Sequence, residues 1–136
     1  MELGDSLSSI RSTGRAFYAG LFEALLSVMG SSNGYLADHG PRTAFLARQI
    51  ARAMGCSEDE TARIVLAGIL GDVGMIGLAE DAWGVPTPVL DARTRGLVRA
   101  HPIRSEATLA SIPHMEDVAD LVRHHHEWWN GSGYPD

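Results

Sequence analysis

Three of the six histidines in this chain are consecutive, at His124, His125 and His126. Imidazole binds transition metals and exchanges protons near neutral pH, so such a run marks a candidate site. Successive helical residues diverge by roughly 100°, which means that three adjacent side chains cannot all face one site. Helical spacing places His124 on a polar face with Asp117 and Asp120, and it places the other two beside apolar residues. We therefore predict that His125 and His126 point inward and that His124 is exposed near Asp120.

The inward pair is costly to bury unless each imidazole finds a hydrogen-bond partner or a metal ion. Two core histidines bonded to carbonyl groups are one interpretation, but a glycine-rich loop follows the pair, and this context favours a ligand role. His101 stands ahead of a proline, where a metal ligand and a helix N-cap explain it equally well. His114 follows another proline and is expected in an exposed loop.

The first element that the sequence predicts is an amphipathic helix over residues 1–30, followed by one domain over residues 31–136. Its apolar residues recur at three- and four-residue steps, at Leu3, Leu7, Ile10, Phe17, Leu21, Leu25 and Val28. Turn-forming residues over 30–40 predict a loop, and Pro41 stands where a second helix can begin. That helix carries an apolar stripe formed by Phe45, Leu46, Ile50 and Met54.

Capping signals define the remaining helices. Ser57 and Glu60 form a capping box that opens a third helix, and Asp91 is suited to cap a short one. With the proline signals, the pattern predicts helices over 58–70, about 92–100, 102–112 and about 116–127. No strand pattern extends beyond a few residues, so the predicted fold class is all-α.

Composition limits the classes of partner. The net charge of -6 disfavours nucleic acid, and no apolar run approaches the roughly 20 residues needed to cross a bilayer. All eleven basic residues are Arg, so no lysine can serve as a general base or compact phosphate anchor. The single Cys56 excludes an internal disulfide, and the cytoplasm is the expected compartment.

Residues 125–135 read HHEWWNGSGYP. This string closely resembles the HHExxDGxGYP signature of HD-GYP domains, the cyclic di-GMP phosphodiesterase branch of the HD phosphohydrolase superfamily. His39 and Arg42 are similar to the HSxRV element of that family, residues 70–75 read LGDVGM and are similar to LHDIGK, and His101 begins an HP pair. The resemblance covers nearly the whole chain after the first helix and implies an HD-domain-like helical bundle.

The resemblance also implies a site. Family members bind two or three Fe, Mn or similar divalent ions, which activate a water that attacks phosphorus, and the resemblance implies that Asp72 is the catalytic carboxylate that bridges the ions. Arg42 is implied as a substrate-binding residue. The implied metal ligands are His39, Asp72, His101, His125 and His126. The implied partner-contacting loop contains Asn130, Gly131, Gly133, Tyr134 and Pro135.

Several positions depart from the family pattern. Gly71 replaces the His of the HD pair, Met75 replaces a lysine near substrate phosphate, and Asn130 replaces an aspartate. Tyr35 stands where trinuclear members carry an additional Glu, which disfavours a trinuclear centre. The family domain continues beyond GYP through further helices with another Asp ligand, whereas this sequence ends at Asp136, so a degenerate and C-terminally truncated member is expected.

The surviving residues predict a one-ion half-site. It contains Asp72, His101, His125 and His126, with His39 left over from the other half. For Asp72, a turn residue after a helix-ending glycine is the alternative. Trp128 and Trp129, inside the signature, are expected to pack against a neighbouring helix rather than to stack on substrate.

Three functional hypotheses follow. The chain is a metal-dependent phosphodiesterase relative with weak or no hydrolysis and one ion or none, or it is a non-catalytic module that binds cyclic di-GMP, a related nucleotide or a signalling protein through the GYP loop. A third hypothesis is a piece of a longer protein that forms a homodimer through an exposed core face. Fold alone does not separate them, because activity resides in the site.

Overall fold

The computed structural model describes residues 20, 23–31, 34–78, 82 and 85–136. Every regular element among these residues is helical and none is a strand, which confirms the all-α prediction. Residues 23–31 are helical, and Met29 of this segment is buried in the core. Most of the amphipathic helix predicted over residues 1–30 lies outside the described residues, so that boundary stays a prediction.

Helix α1 spans Gly34–Ala53, and it packs against helix α2, which spans Glu58–Leu70. The loop predicted before α1 is therefore too long, and Pro41 lies inside the helix rather than at its start. An interior proline removes a backbone hydrogen bond and normally costs ~3 kcal/mol or more. The helices approach each other closely beside this proline, since a Cβ on Gly40 would lie only 2.7 Å from the carbonyl oxygen of Ile69.

Helix α1 contacts α2 through its small residues. Ala44 and Ala51 are buried, and a Cβ on Gly68 would lie 3.1 Å from the Cα of Ala44. An apolar stripe on a helix normally faces the core, but here the larger residues of α1 lie outside it. Their exposed fractions are 63% for Phe45, 59% for Leu46, 60% for Ile50 and 77% for Met54. The sequence pattern therefore identified the helix but not its buried face.

Helix α2 begins at the predicted capping box. The Glu60 amide donates to Ser57 Oγ at 3.2 Å, and the Ser57 amide donates to Glu60 Oε2 at 2.8 Å. A short 3-10 turn, Val73–Met75, follows the helix. Gly74 of this turn approaches the helix that begins at His101 so closely that a Cβ there would overlap the carbonyl oxygen of His101.

We expect Gly74→Ala to destabilise the fold by about 1–3 kcal/mol, since its Cβ would also lie 2.7 Å from the Ser105 amide nitrogen. Gly96→Ala is the matched control, because nothing lies within 4 Å of a Cβ at that helical position. Alanine is the better helix former, so the control should be stabilised by up to about 1 kcal/mol. Urea unfolding measures both changes, and equal stability of the two variants would contradict the close approach at Gly74.

After a 3-10 turn over Thr87–Val89, the described residues form three further α-helices: α3 over Ala92–Arg99, α4 over His101–Ala110 and α5 over Glu116–Arg123. The predicted cap of α3 is confirmed, because Asp91 Oδ1 accepts the Thr94 amide at 3.0 Å. Helix α4 ends at Ala110, two residues before its predicted end. No helix in the described part of the chain is long and apolar enough to cross a membrane.

Helix α5 ends at Arg123, so the prediction that it continues to about Glu127 is wrong. The imidazoles of His124 and His125 donate from Nδ1 to the carbonyls of Asp120 at 2.9 Å and Val122 at 2.6 Å. These bonds satisfy carbonyl groups in the last turn, which is a common way for a helix to terminate. His124, His125 and His126 therefore lie in a turn rather than on the helix.

Packing of α2, α4 and α5 places the three chain segments of the candidate site side by side. Fully buried members of the core are Leu70 from α2, Leu109 from α4 and Val122 from α5, each with 0% exposure. Met115 and Val118 add to this core from the start of α5.

Candidate metal centre

Four potential metal ligands converge where α2, α4 and α5 meet. Asp72 follows α2, His101 opens α4, and His125 and His126 follow α5. One ligand atom from each of these residues lies within 4.8 Å of the others. The structure thus brings together the four residues of the predicted half-site, and their role as ligands remains a proposal.

Asp72 is positioned by a buried serine of α4. Ser105 Oγ donates to the carbonyl of Gly71 at 2.7 Å and accepts the amide of Gly74 at 2.8 Å. These two bonds hold the turn against α4, so that Asp72 Oδ1 lies 3.2 Å from His101 Nε2. Asp72 is therefore both the turn residue and a member of the cluster.

The second oxygen of Asp72 faces helix α1. His39 Nε2 lies 3.5 Å from Asp72 Oδ2, and its ring stacks on Tyr35 with centroids 5.0 Å apart. The Tyr35 hydroxyl is 3.2 Å from His39 Nδ1, which helps to orient the imidazole. His39 lies beside the four-residue cluster rather than within it. The carboxylate consequently stands between His39 on one side and His101 on the other.

Two of the imidazoles direct their Nε2 atoms into the cluster. His101 Nδ1 donates to the Val98 carbonyl at 2.6 Å, and His125 Nδ1 donates to the Val122 carbonyl at 2.6 Å. An imidazole that donates from Nδ1 and carries no second proton has a lone pair on Nε2 with which it can bind a metal ion. The two Nε2 atoms face each other at 3.2 Å. A proton on one of these nitrogens makes this contact a hydrogen bond, and a metal ion bound by both nitrogens would take the place of that proton.

This arrangement fits a divalent transition metal. Imidazole nitrogens bound to one ion at about 2.0–2.1 Å stand roughly 2.9–3.4 Å apart in octahedral or tetrahedral geometry. The separation of 3.2 Å between the nitrogens of His101 and His125 lies in that range, as does the 3.2 Å from His101 to Asp72. A set of imidazoles with one carboxylate suits Fe, Mn or Zn better than Mg.

His126 is held by the loop that follows it. Its ring stacks on Tyr134 with centroids 4.7 Å apart and planes at 15°, and the Tyr134 amide donates to the His126 carbonyl at 3.3 Å. Gly133 lies so close to this segment that a Cβ on it would overlap the Trp128 amide nitrogen. The Arg99 side chain covers the Tyr134 ring, with its guanidinium carbon 4.4 Å from the centroid.

The electrostatic environment favours an ionised Asp72 and neutral His125 and His126. Burial alone would raise the pKa of Asp72, but the hydrogen bond and charge of His101, together with His125 and His39, leave its pKa below the usual value. His125 is exposed as a residue, so the predicted inward placement holds only for its Nε2 edge, which faces the cluster. Loss of hydration nevertheless lowers the pKa of His125, and it lowers the pKa of His126 to about 4. Near neutral pH both imidazoles are neutral and the carboxylate is ionised.

The lowered pKa of His126 predicts a pH-dependent stability of the metal-free protein. The unfolded chain takes up a proton at His126 near its ordinary pKa of 6.5, whereas the folded chain resists protonation until about pH 4. The free energy of unfolding should therefore fall as the pH is lowered from about 6.5 to about 4. Urea unfolding in the presence of a chelator measures this change.

A variant pair separates this effect from general acid sensitivity. His126→Gln should weaken the pH dependence in that window, because the titrating group is removed. His124→Gln is the matched control: the exposed imidazole of His124 lies outside the cluster, so the pH dependence should be retained. An identical pH profile for both variants would contradict the role assigned to His126.

Gly71 faces the cluster without a side chain. A Cβ on Gly71 would lie 3.6 Å from His125 Nε2, and the residue has helical backbone angles that any L-residue can adopt. A cavity of about 270 Å³ opens beside it, lined in part by His39, Asp72 and His125. Met75 is 6% exposed and belongs to the apolar core, and it also lines a second cavity next to this one.

The second cavity, called the recess below, has a volume of about 380 Å³, and the four residues of the cluster form part of its wall. This is within the usual range for sites that bind small ligands. His39 and Tyr134 line it, as do Val85 and Thr87 from the segment before α3. Arg42, implied as substrate-binding, is exposed on α1 and is not among the residues that line the recess, so its role stays a prediction.

Other sequence predictions have mixed outcomes. His124 is exposed with Nδ1 3.6 Å from Asp120 Oδ1, as predicted, and His114 is exposed as predicted. The N-cap interpretation of His101 is wrong, because Ala100 occupies the cap position and His101 is 2% exposed. Asn130 Oδ1 accepts the Ser132 amide at 3.1 Å, which gives it a local role in the loop.

The predicted packing of the two tryptophans is wrong. Trp128 is 65% exposed, and Trp129 is exposed along its whole side chain at 106%. Both residues lie in the tight turn between His126 and Gly133, where the chain has no helix to direct them toward the core.

Sequence reasoning missed two residues that matter to the geometry. Ser105 reads as an ordinary helical serine, and nothing in the sequence pairs it with a turn 31 residues away. Arg99, two residues before His101, also gave no signal. Its contact with Tyr134 depends on how the GYP loop folds back, and this is a property of the tertiary structure alone.

These elements define an all-α domain with a cluster of histidine and aspartate suited to a divalent metal ion. The chain belongs to the HD domain family, whose model matches residues 23–136. This is a metal-dependent family, and the cluster occupies turns and helix ends of the matched region.

Curated relatives are cyclic-dinucleotide phosphodiesterases. The chain is 27% identical over 120 residues to 3'3'-cGAMP-specific phosphodiesterase 3 of Vibrio cholerae, covering 88% of this chain and 26% of the relative. It is 30% identical over 115 residues to a cyclic di-GMP phosphodiesterase of Pseudomonas aeruginosa, covering 82% and 28%. A cyclic di-GMP phosphodiesterase of Thermotoga maritima is 31% identical over 99 residues, covering 71% and 27%. The chain thus spans about a quarter of the length of these relatives.

Proposed function

We propose that this chain is an HD-GYP-type signalling domain of the cyclic di-GMP phosphodiesterase class that retains a site for one divalent ion and hydrolyses cyclic di-GMP weakly or not at all. The observation that carries the proposal is the pair of facing Nε2 atoms of His101 and His125 beside an ionised Asp72. The named activities of the relatives support the choice of substrate class.

Each residue of the cluster has a proposed task. Asp72, His101, His125 and His126 would hold the ion, and the carbonyls that accept from His101 and His125 fix which ring nitrogen faces it. A bound divalent ion would neutralise negative charge on the phosphodiester oxygens, and it would provide hydroxide near neutral pH. Tyr134 supports the His126 ring and closes one wall of the recess.

Weak hydrolysis follows from groups that the chain does not have. The second oxygen of Asp72 faces His39, and Gly71 supplies no ligand on that side. Met75 replaces the cation that family members place near the substrate phosphate. Losing one group that stabilises transition-state charge typically costs about 10²–10³ in rate, so two such losses should bring turnover close to background.

A non-catalytic interaction module is the second candidate function. Trp128 and Trp129 are exposed beside the GYP loop, and exposed aromatic side chains are enriched at protein interfaces. A signalling protein that contacts this loop is the partner this alternative requires. The division into a helix over residues 1–30 and a domain over residues 31–136 also remains part of the proposal.

The test is a hydrolysis assay of the protein reconstituted with Mn or Fe. Formation of linear pGpG or GMP from cyclic di-GMP should stay near the rate seen with chelator, while calorimetry in Ca²⁺ detects binding of the dinucleotide. Turnover at the rate of an active relative assayed in parallel would overturn the proposed loss of hydrolysis. Absence of both turnover and binding would favour the interaction module.

A further inference from the structure

The segment that contains the GYP loop, residues 124–136, begins and ends at the same arginine. It follows Arg123, the last residue of α5, and Asp136 at its far end contacts the Arg123 side chain. Arg123 Nε donates to Asp136 Oδ2 at 2.6 Å, and Arg123 Nη2 donates to Asp136 Oδ1 at 2.5 Å. Two parallel bonds of this kind fix the direction of a carboxylate as well as its distance. The segment, which forms turns but no helix, is therefore closed at its base.

The same guanidinium is anchored to helix α4. Arg123 Nη1 donates to Glu106 Oε2 at 2.5 Å, so all three nitrogens of the guanidinium bond to carboxylates. A single exposed ion pair stabilises little, but a bidentate pair within a network of charges holds its geometry better. The Arg123 side chain is also only 26% exposed, which limits screening by solvent. The network links α4, α5 and the far end of the segment.

Closure of the segment bears on His126, because contacts inside the segment converge on that residue and its neighbour. The Asp136 amide donates to Glu127 Oε1 at 2.9 Å. The Tyr134 ring stacks on the His126 ring, and the Tyr134 amide donates to the His126 carbonyl. The carboxylate that Arg123 holds thus belongs to a residue two positions after the ring that supports His126.

We infer that Arg123 is a positioning residue, which holds Asp136 and so keeps the GYP loop folded back on His126, with the His126 imidazole fixed in the cluster. Arg123 is not among the four candidate ligands, so its effect on a metal ion is indirect. The inference rests on the proposed function for the role of His126 as a ligand. The hold of Arg123 on the loop is separate from that role, and it can be measured without metal.

The proton resonances of the His126 imidazole, recorded in EDTA at a pH where the histidines are neutral, report whether the loop is folded back. An aromatic ring shields protons that lie over its face, so stacking on Tyr134 should move these resonances upfield. Arg123→Gln should shift them downfield, because the loop loses its closing contact. Asp136→Asn should produce the same shift. His126→Gln, in which these signals are missing, assigns them.

Metal affinity measures the consequence for the cluster. Arg123→Gln should weaken Mn binding by about 3–10-fold, less than the ~10–100-fold that follows loss of a group bonded directly to a ligand. Asp136→Asn should weaken it by a similar factor. The double variant should bind Mn as either single variant does, because the two residues act as one pair. Competition with a fluorescent chelator gives these affinities, and urea unfolding of each variant accompanies them.

Arg63→Gln is the matched control. Arg63 also pairs with a carboxylate of α5, at 3.7 Å from Asp117 Oδ2, and its replacement changes the net charge equally. It lies outside the segment, so both the His126 resonances and Mn affinity should stay as in the unmodified chain. Equal losses of Mn affinity in the Arg63 and Arg123 variants would reduce the effect to net charge and overturn the inference.

The two measurements separate this inference from the proposed function. His126 resonances that are unchanged in Arg123→Gln and Asp136→Asn would refute the inference and leave the proposed function intact. Shifted resonances with unchanged Mn affinity would refute it as well, because the loop would then not position a ligand. If the unmodified chain binds no Mn but its His126 resonances depend on Arg123, the hold of Arg123 on His126 is supported and the metal centre of the proposed function is refuted.

Discussion

Gly71→His should allow the chain to bind a second divalent ion, and together with Met75→Lys it should raise cyclic di-GMP hydrolysis at least about 100-fold. The Cβ of residue 71 would lie 3.6 Å from His125 Nε2, beside a cavity that also contacts His39 and Asp72. A histidine there can join His39 on the free side of the Asp72 carboxylate. Two ions would then share the charge of the attacking and leaving oxygens.

The controls follow from the local geometry. Gly71→Ala adds the same Cβ, which lies 3.2 Å from the Ala67 carbonyl oxygen, but it adds no ligand. It should leave metal content unchanged. Because Met75 is 6% exposed, Met75→Lys carries a cost in stability, so unfolding of each variant is measured beside its activity. A folded Gly71→His variant with the metal content of Gly71→Ala would contradict this account of position 71.

Asp72→Asn should weaken binding of Mn or Fe by at least about 100-fold, more than the ~10–100-fold that follows loss of an outer-sphere partner. Asn keeps the shape of the side chain, but it removes the anionic oxygen that lies 3.2 Å from His101 Nε2. Three neutral imidazoles without a carboxylate hold a divalent hard ion less tightly. Competition with a fluorescent chelator measures the affinity.

Asp120→Asn is the matched control for this second prediction. Asp120 is an exposed carboxylate that approaches His124 and lies outside the cluster. Its removal changes the net charge by the same amount and should leave metal affinity within about twofold, since exposed charges interact weakly through solvent. Equal affinities for the Asp72 and Asp120 variants would exclude Asp72 as a ligand.

The local signals in the sequence predicted helix starts well. The bonds at Ser57 with Glu60 and at Asp91 form between residues two or three apart, so they need no tertiary context. The predicted start of α1 was wrong because the true start depends on tertiary contacts. Pro41 is a strong local signal, and it is overridden by contact between Gly40 and the backbone of α2.

The site was predicted in its composition but not in its geometry. The spacing of the histidines correctly predicted that His124 is exposed and lies outside the cluster. That prediction assumed a continuous helix, whereas α5 ends before His124. The side chains of His124 and His125 end the helix themselves. The same limit applies to Ser105 and Arg99, whose contacts join segments that are distant or irregular in the sequence.

The metal content of the unmodified chain is the most direct test of the central claim. Elemental analysis after reconstitution with Mn or Fe and removal of excess ion should give about one ion per chain, held by a single set of ligands. The same measurement on Asp72→Asn should give none. A content of two ions would contradict the half-site, and a content of zero in the folded unmodified chain would contradict metal binding by this cluster altogether.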